Sequence, residues 1–230
     1  LHKAIRRQRQ MCIRDSLKIG MEAPDFDAVS TMGDISLSSY KGKWIVFFSH
    51  PNDFSPICTT EIIGLAKADT YFKKINTELI GISVDSLNSH LAWLYDIYLK
   101  TGLIVNFPII ADQNGVIARK YGMISNDVSS TETVRNIFII DDKGIIRSIF
   151  VYPMNIGRYI PEILRTVTAL QYSDQNNCMT PANWSPGNPM IVPPPKTFNA
   201  LRERNESINK NRNGMCWYLS FKNPETKKLE

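Results

Sequence analysis

The sequence predicts an α/β protein, a mixed central sheet flanked by helices with an extended C-terminal arm, and three observations carry that reading. Short continuous apolar runs, WIVFFS (44–49), ELIGISVD (78–85) and FPIIAD (107–112), have the pattern of strands buried on both faces. Between them apolar residues recur every three or four positions, the period of a helix resting one face on a core. RNIFIIDDKGIIRSIFVY (135–152) then reads as two strands joined at Asp142-Lys143-Gly144, a hairpin signal. Strand–helix–strand–helix–strand followed by a hairpin and a closing helix requires crossover connections and a mixed sheet edge.

Taken in order, YKGKW (40–44) is a turn feeding the first buried strand, which stops at Ser49 before a loop bounded by Pro51 and Pro56. From Thr59 to Ile75 the residues Ile62, Leu65, Ala66, Phe72 and Ile75 form a helical stripe, with Cys58 at or next to its first turn. A helix over 86–101 places Leu91, Leu94, Tyr95 and Tyr98 on one side, and GVIARKYG (115–122) is a short helix ending on Gly122. After the hairpin a helix runs from Arg158 to Leu170. Beyond about residue 172 proline, asparagine and serine dominate, and the chain reads as an irregular arm with a short polar helix at 199–210. Trp184, Trp217, Tyr218 and Phe221 make the arm too apolar for disorder and suit it to packing on a partner subunit.

The net charge of +5 is concentrated in LHKAIRRQRQMCIRDS (1–16), which holds five basic residues and one acid. The near-neutral remainder gives no basic surface for nucleic acid. No apolar run approaches the ~20 residues of a membrane span, and residues 1–16 lack the apolar segment of a secretory signal, so a cytoplasmic protein is expected. RQRQMCIRDS resembles translated sequencing-adapter read-through, and 1–16 is set aside as a non-native segment, Cys12 with it. The cysteines Cys12, Cys58, Cys178 and Cys216 form no CxxC pair, which argues against a zinc ribbon or a dithiol motif. Scattered cysteines in such a chain point to one used for chemistry.

FFSHPNDFSPICTTE (47–61) places that one, Cys58, between a strand end and a helix start. Free backbone N–H groups and the helix dipole there favour a negative sulfur. An ordinary thiol of pKa about 8.5 is only ~3 % ionised at pH 7; full ionisation gains about thirtyfold, or ~2 kcal/mol. A fast thiol enzyme needs donors on the transition state as well. Ser55 offers a hydroxyl, or else a helix cap, and Pro51 and Pro56 stiffen the loop and limit water. The missing cation must come from elsewhere, and Arg135 and Arg158 sit at predicted element ends from which both could reach one site. His50 shares the loop but shows no obvious orienting carboxylate, which disfavours a thiol hydrolase; no GxSxG supports a lipase.

The stretch Pro51 to Cys58 resembles the PxxxTxxC active-site motif of the peroxiredoxins, with Ser55 in the threonine place. APDF (23–26), YKGKW (40–44), SHP (49–51), CTTE (58–61), GISVDS (81–86), HLAW (90–93), FPIIAD (107–112), VRNIFIID (134–141) and TPANWSPG (180–187) follow in the order of that family. The resemblance runs from Leu17 to Phe221 and is closest to the one-cysteine and archaeal-type subgroup. It implies a thioredoxin-like peroxidase domain over 17–172 and a dimerisation arm over 173–230. It also implies reduction of hydrogen peroxide and organic hydroperoxides with no metal, haem or flavin. By position, Cys58 would be the peroxidatic nucleophile that becomes a sulfenic acid. Ser55 would hydrogen-bond the peroxide, Arg135 would steady the thiolate and the departing oxygen, and Arg158 would be a second active-site arginine. Glu61 would orient Arg135, Pro51 would shield the sulfur, and His50 would border the pocket. Cys216 and, more weakly, Cys178 are the candidate resolving cysteines; otherwise a thioredoxin-like protein or small thiol reduces the enzyme. A homodimer, extending to a decamer, is expected. A peroxide sensor or holdase chaperone on the same fold is the alternative, since it needs the same activated cysteine.

Overall fold

The computed structural model describes residues 16–125, 127–211 and 214–223. Cys12 and the rest of 1–15, on which the non-native reading bears, lie outside the described residues. The chain divides into two compact units, one ending at Ile160 and one beginning at Pro161.

The first unit is built on a seven-stranded sheet. Its strands are β1 (Asp27–Ser30), β2 (Gly33–Ser36), β3 (Trp44–Ser49), β4 (Thr77–Ser83), β5 (Ile109–Ala111), β6 (Arg135–Ile140) and β7 (Ile146–Tyr152), in the spatial order β2-β1-β5-β4-β3-β6-β7. The three apolar runs become the parallel strands β3, β4 and β5, joined by helices α1 (Pro56–Lys74) and α2 (Leu87–Thr101). Every residue of β3 is buried, as a strand covered on both faces requires. A short helix, α3 (Val116–Lys120), precedes the β6–β7 hairpin, which turns at Gly144 with φ 85. The β1–β2 hairpin is not signalled by apolar runs, because DAVS and GDIS are short and largely exposed.

Successive residues of β3 serve opposite faces. Phe47 packs edge-on against Tyr121 (centroids 4.8 Å), which is edge-on to Phe138 in turn (5.3 Å), in a cluster with Phe26, Ile80 and Ile140. Each such buried aromatic contributes roughly 2–3 kcal/mol. Phe48 lies opposite Gly81 of β4 and edge-on to Phe107 at 5.9 Å. A Cβ at Gly81 would meet Phe48 at 3.0 Å and Ile109 at 3.3 Å, so the close approach of these strands requires glycine.

Helix α2 carries Leu91, Leu94, Tyr95 and Tyr98 on one side, as expected, but that is not the side it buries. The face it buries carries His90, Trp93 and Ile97, while Leu91, Tyr95 and Tyr98 point outward and Leu94 is half-buried. The helix has two apolar stripes, and the one containing a histidine is inside because that histidine has partners.

The second unit holds most of α4 (Ile160–Asn176), then α5 (Phe198–Asn211) and a small sheet ordered β8 (Met190–Ile191), β10 (Leu219–Lys222), β9 (Gly214–Cys216). It is more than an irregular arm: Trp184 is 1 % exposed, its indole N–H donating to the Asn188 carbonyl at 3.0 Å, and Met190 and Ile208 are buried. The composition hides this because one tryptophan and a few aliphatic residues, held by bonds such as Arg204 to the Ser220 hydroxyl (2.8 Å), make the whole core. Among the described residues no helix is long and apolar enough to cross a membrane.

Candidate active site

Cys58 lies inside the first turn of α1 and is 0 % exposed. The helix expected from Thr59 begins at Pro56, because Ser55-Pro56 is a start signal. Ser55 is the N-cap with extended backbone, its hydroxyl accepting the Cys58 N–H at 3.4 Å, and Pro56 takes the first helical place, where a missing N–H costs nothing. Pro56 is exposed and shields nothing; Pro51 is buried and can.

Strand pairing delivers the cations. β6 runs antiparallel to β3, with Phe48 opposite Ile137, so the start of β6 lies beside the end of β3. That places Arg135 next to the start of α1, where Cys58 sits. Arg135 Nη1 donates to Cys58 Sγ at 3.3 Å and to Glu61 Oε2 at 2.7 Å, while its Nε donates to the Met154 carbonyl at 3.0 Å. Arg158 converges on the same carboxylate. Its backbone N–H and Nε both reach Glu61 Oε1 at 2.8 Å, and Nη2 reaches Oε2 at 2.6 Å. Its Nη1 donates to the Ser49 carbonyl at 2.9 Å, and the guanidinium lies over the Phe48 ring at 5.2 Å. Arg158 does not open the helix, as its position suggested; it precedes α4 by two residues. Glu61, three residues after Cys58, shares its helix face.

Charge balance explains the array. Glu61, Arg135 and Arg158 have side chains 0–3 % exposed. Two guanidiniums and one carboxylate leave one positive charge beside the Cys58 sulfur. Buried charge is costly unless it is balanced and hydrogen-bonded. Burial pushes the Glu61 carboxyl up, but the hydrogen bonds and charge of Arg158, then the charge of Arg135, outweigh it and hold the group below the usual carboxylate range.

His50 does have an orienting carboxylate. Its Nε2 lies 3.0 Å from Asp53 Oδ1, three residues along the same loop. The Asp53 carboxylate also meets His90 Nδ1 at 2.9 Å, and Trp93 packs beside His50 with ring centroids 5.2 Å apart. Burial pushes Asp53 up, but hydrogen bonds from the two imidazoles prevail and hold it well below the usual range. Burial pushes His50 down against the pull of Asp53. Among the described residues this is the one cluster offering metal-type donor atoms, within 4.8 Å of one another. Contacts of 2.9–3.0 Å between those atoms are hydrogen bonds, so the cluster is a proton-sharing array. Nothing in the sequence singled out Asp53, His90 or Trp93 as site residues. The usable signals are the His-x-x-Asp spacing in the loop and the His90, Trp93, Ile97 stripe.

Cys178 and Cys216 lie in the second unit, Cys178 buried and Cys216 half-buried. The Tyr218 phenol is pushed up by its hydrogen bond to Cys216.

The chain is similar to known proteins along most of its length. The AhpC/TSA family matches residues 19–149, and the C-terminal domain of 1-Cys peroxiredoxin matches 169–207. Peroxiredoxin 2 of Caldanaerobacter subterraneus subsp. tengcongensis is 52 % identical over 207 residues, 89 % of this chain and 92 % of that one. Peroxiredoxin 2 of Picrophilus torridus is 49 % identical over 201 residues, 87 % of this chain and 96 % of that one. Among solved structures, a yeast mitochondrial 1-Cys peroxiredoxin is 39 % identical with a TM-score of 0.79, covering 90 % of this chain and 100 % of that one. Peroxiredoxin 6 of Arenicola marina is 30 % identical with a TM-score of 0.80, covering 92 % and 100 %. The fold is accordingly thioredoxin-like. With half the residues shared along nearly the full length of such relatives, this chain belongs to the AhpC/TSA family, the peroxiredoxins, and is a thiol-dependent peroxidase.

Proposed function

We propose that Cys58 is the peroxidatic nucleophile, and the observation that carries this is the Arg135 guanidinium donating to its sulfur at 3.3 Å while anchored on Glu61. The thiolate lone pair attacks the terminal oxygen of a hydroperoxide and the O–O bond breaks. The leaving oxygen takes a proton and departs as water or alcohol, and Cys58 becomes a sulfenic acid. Ser55 supplies a hydroxyl to the peroxide. Arg135 and Arg158 supply the positive charge that meets the electrons moving onto the leaving oxygen. Glu61 holds both arginines in place, Pro51 shields the sulfur, and His50 borders the loop. Hydrogen peroxide and small organic hydroperoxides are the substrates that a sulfur with no exposed surface would select.

An outside thiol, thioredoxin-like or small, reduces the sulfenic acid unless Cys216 resolves it. The similarity to a yeast 1-Cys peroxiredoxin studied with glutathione and thioredoxin systems supports the first route. The chain acts in the cytoplasm as a homodimer that can assemble further. Supporting this, β7 is the last strand of its sheet and carries exposed Val151, and α2 turns Leu91, Tyr95, Tyr98 and Leu99 outward. Within the second unit, a groove of about 1010 Å³ is lined by Trp184, Val192, Met215 and Phe221.

The test is peroxide consumption with thioredoxin, glutathione or dithiothreitol as reductant, for wild type and Cys58→Ser, Cys178→Ser and Cys216→Ser. Full activity in Cys58→Ser would sink the assignment. Loss of thioredoxin-linked but not dithiothreitol-linked turnover in Cys216→Ser would identify it as the resolving cysteine. Sedimentation velocity gives the assembly, and a monomer at micromolar concentration would refute the dimer.

A further inference from the structure

A second buried polar cluster holds the other side of the 50–55 loop, and Asp53 is its hub. Asp53 is 8 % exposed, and its carboxylate meets His50 Nε2 at 3.0 Å and His90 Nδ1 at 2.9 Å. The second ring nitrogen of His90 faces the Ile110 carbonyl of β5 at 3.2 Å. Both ring nitrogens of His90 therefore face acceptor oxygens, which fixes the imidazole between Asp53 and β5. The Asp53 backbone N–H donates to Asp85 Oδ2 at 3.0 Å, an oxygen that the Ser83 hydroxyl also reaches, at 2.7 Å. One loop residue is thereby tied to α2, to β3 through His50, and to the end of β4.

The next residue explains what the tie restrains. Phe54 has φ 55, the left-handed region that a bulky side chain avoids, and its ring is largely exposed. Such a conformation persists only where neighbours over-determine it. Here the neighbours are Asp53 on one side and the Ser55 cap on the other. One turn after His90, Trp93 donates its indole N–H to Thr59 Oγ1 at 3.2 Å, next to Cys58. The hydrogen bonds of Asp53 and His90 do not go to Cys58, Arg135 or Glu61, so any influence on the chemistry passes through the loop.

We infer that Asp53 and His90 are positioning residues for peroxide reduction: their hydrogen-bonded pair clamps the strained loop so that the Ser55 hydroxyl and the start of α1 meet the arginine array in a single arrangement. This rests on Cys58 being the peroxidatic sulfur. Two properties of the site separate under this reading. The charged groups at the sulfur are Arg135 and, behind it, Glu61 and Arg158, to none of which Asp53 or His90 is hydrogen-bonded. The alignment of donors on the two peroxide oxygens depends on the loop, and a misplacement of about 1 Å can cost ~100-fold in rate.

The experiment uses the reduced full chain and the variants Asp53→Asn, His90→Gln and both together. Stopped-flow fluorescence gives the second-order rate with hydrogen peroxide, absorbance at 240 nm against pH gives the thiolate titration, and iodoacetamide gives reactivity toward an electrophile that needs no aligned donors. Each single variant is expected to react with peroxide about 10- to 100-fold more slowly. Its thiolate titration should stay in place and its alkylation rate should hold within about threefold, a split that lost stability alone would not produce. The double variant should be no slower than the slower single one, since either change breaks the same pair. Peroxide rates within about twofold of wild type in both single variants would overturn the inference. So would a thiolate titration displaced by about a unit, or losses that multiply in the double variant. Circular dichroism checks each fold, and His90→Gln decides alone if Asp53→Asn does not fold. A Cys58→Ser protein that still reduced peroxide would strike the underlying assignment instead, so the two failures are distinguishable.

Discussion

Arg135 reaches Cys58 from 77 residues away in the chain, and a single nitrogen of its guanidinium serves both the sulfur, at 3.3 Å, and Glu61, at 2.7 Å. The carboxylate fixes the donor in the substrate-free protein, so in the proposed mechanism no reorganisation is needed when charge moves from sulfur to the leaving oxygen. Arg135→Met is expected to slow the second-order reaction with hydrogen peroxide about 10²–10³-fold. Arg135→Lys, with the charge but not the planar fork, should fall between. Stopped-flow measurement checks both, and a loss below about threefold for Arg135→Met would remove this arginine from the transition state.

Ser55 combines two roles that substitutions can separate. As the N-cap it satisfies the Cys58 N–H, worth about 1 kcal/mol, and as a hydroxyl it is proposed to bind the peroxide. Ser55→Asn keeps a capping group without the hydroxyl, so its urea midpoint should stay near wild type while the peroxide rate falls. Ser55→Thr should preserve both. A fully active Ser55→Asn would reduce Ser55 to its cap.

Glu61→Gln leaves two buried guanidiniums facing each other without the carboxylate they share. Breaking a buried pair from one side costs roughly 3–5 kcal/mol. For a chain of this size that is a drop in Tm of about 6–20 °C. Differential scanning calorimetry measures it. An unchanged Tm would mean that the array is not a net stabiliser of the fold.

Stability should fall on acidification in two stages. His50 is held below its ordinary value by burial, against the pull of Asp53 and Asp85 and with the push of His90. The unfolded chain therefore takes up this proton first, and stability declines as pH falls below about 6.5, by at most ~1.4 kcal/mol per pH unit. Glu61 and Asp53 are held below the carboxylate range, so their contribution is complete above pH about 4–4.5 and is lost as pH drops through their folded values. His50→Gln should flatten the slope between pH 6.5 and 5 in urea titrations while leaving the lower stage. An identical slope in that variant would assign the first stage to another group.

Several parts of this protein are legible in the chain because they depend on neighbours only a few residues away. WIVFFS is a strand because a continuous apolar run of that length has no other economical use, and Cys58 precedes Glu61 by the three residues that bring them to one helix face. Ser55-Pro56 marks a helix start one turn earlier than the apolar stripe alone suggests. Helix α2 shows where local pattern gives out. Leu91, Tyr95 and Tyr98 look like a buried face, yet His90, Trp93 and Ile97 are the residues inside, because Asp53 and Ile110 compensate the histidine. A buried polar residue is permitted by its partners, and partners are not visible in a helical period.

What the sequence determined by itself is the buried strands and main helices of the first unit and a single cysteine beside a helix start, because those follow from periodicity and spacing within a turn or two; the roles in peroxide chemistry are what the resemblance to the peroxiredoxins implies. Only the tertiary structure decided that Arg135 and Arg158, 74 and 97 residues from Glu61, share its carboxylate, and that Asp53 joins His50 to His90 across 37 residues. Those distances are closed by the antiparallel pairing of β6 with β3 and by the crossover that lays α2 beside the loop. Register between strands and the docking of helices are properties of the packed core as a whole, and no segment of the chain carries them alone.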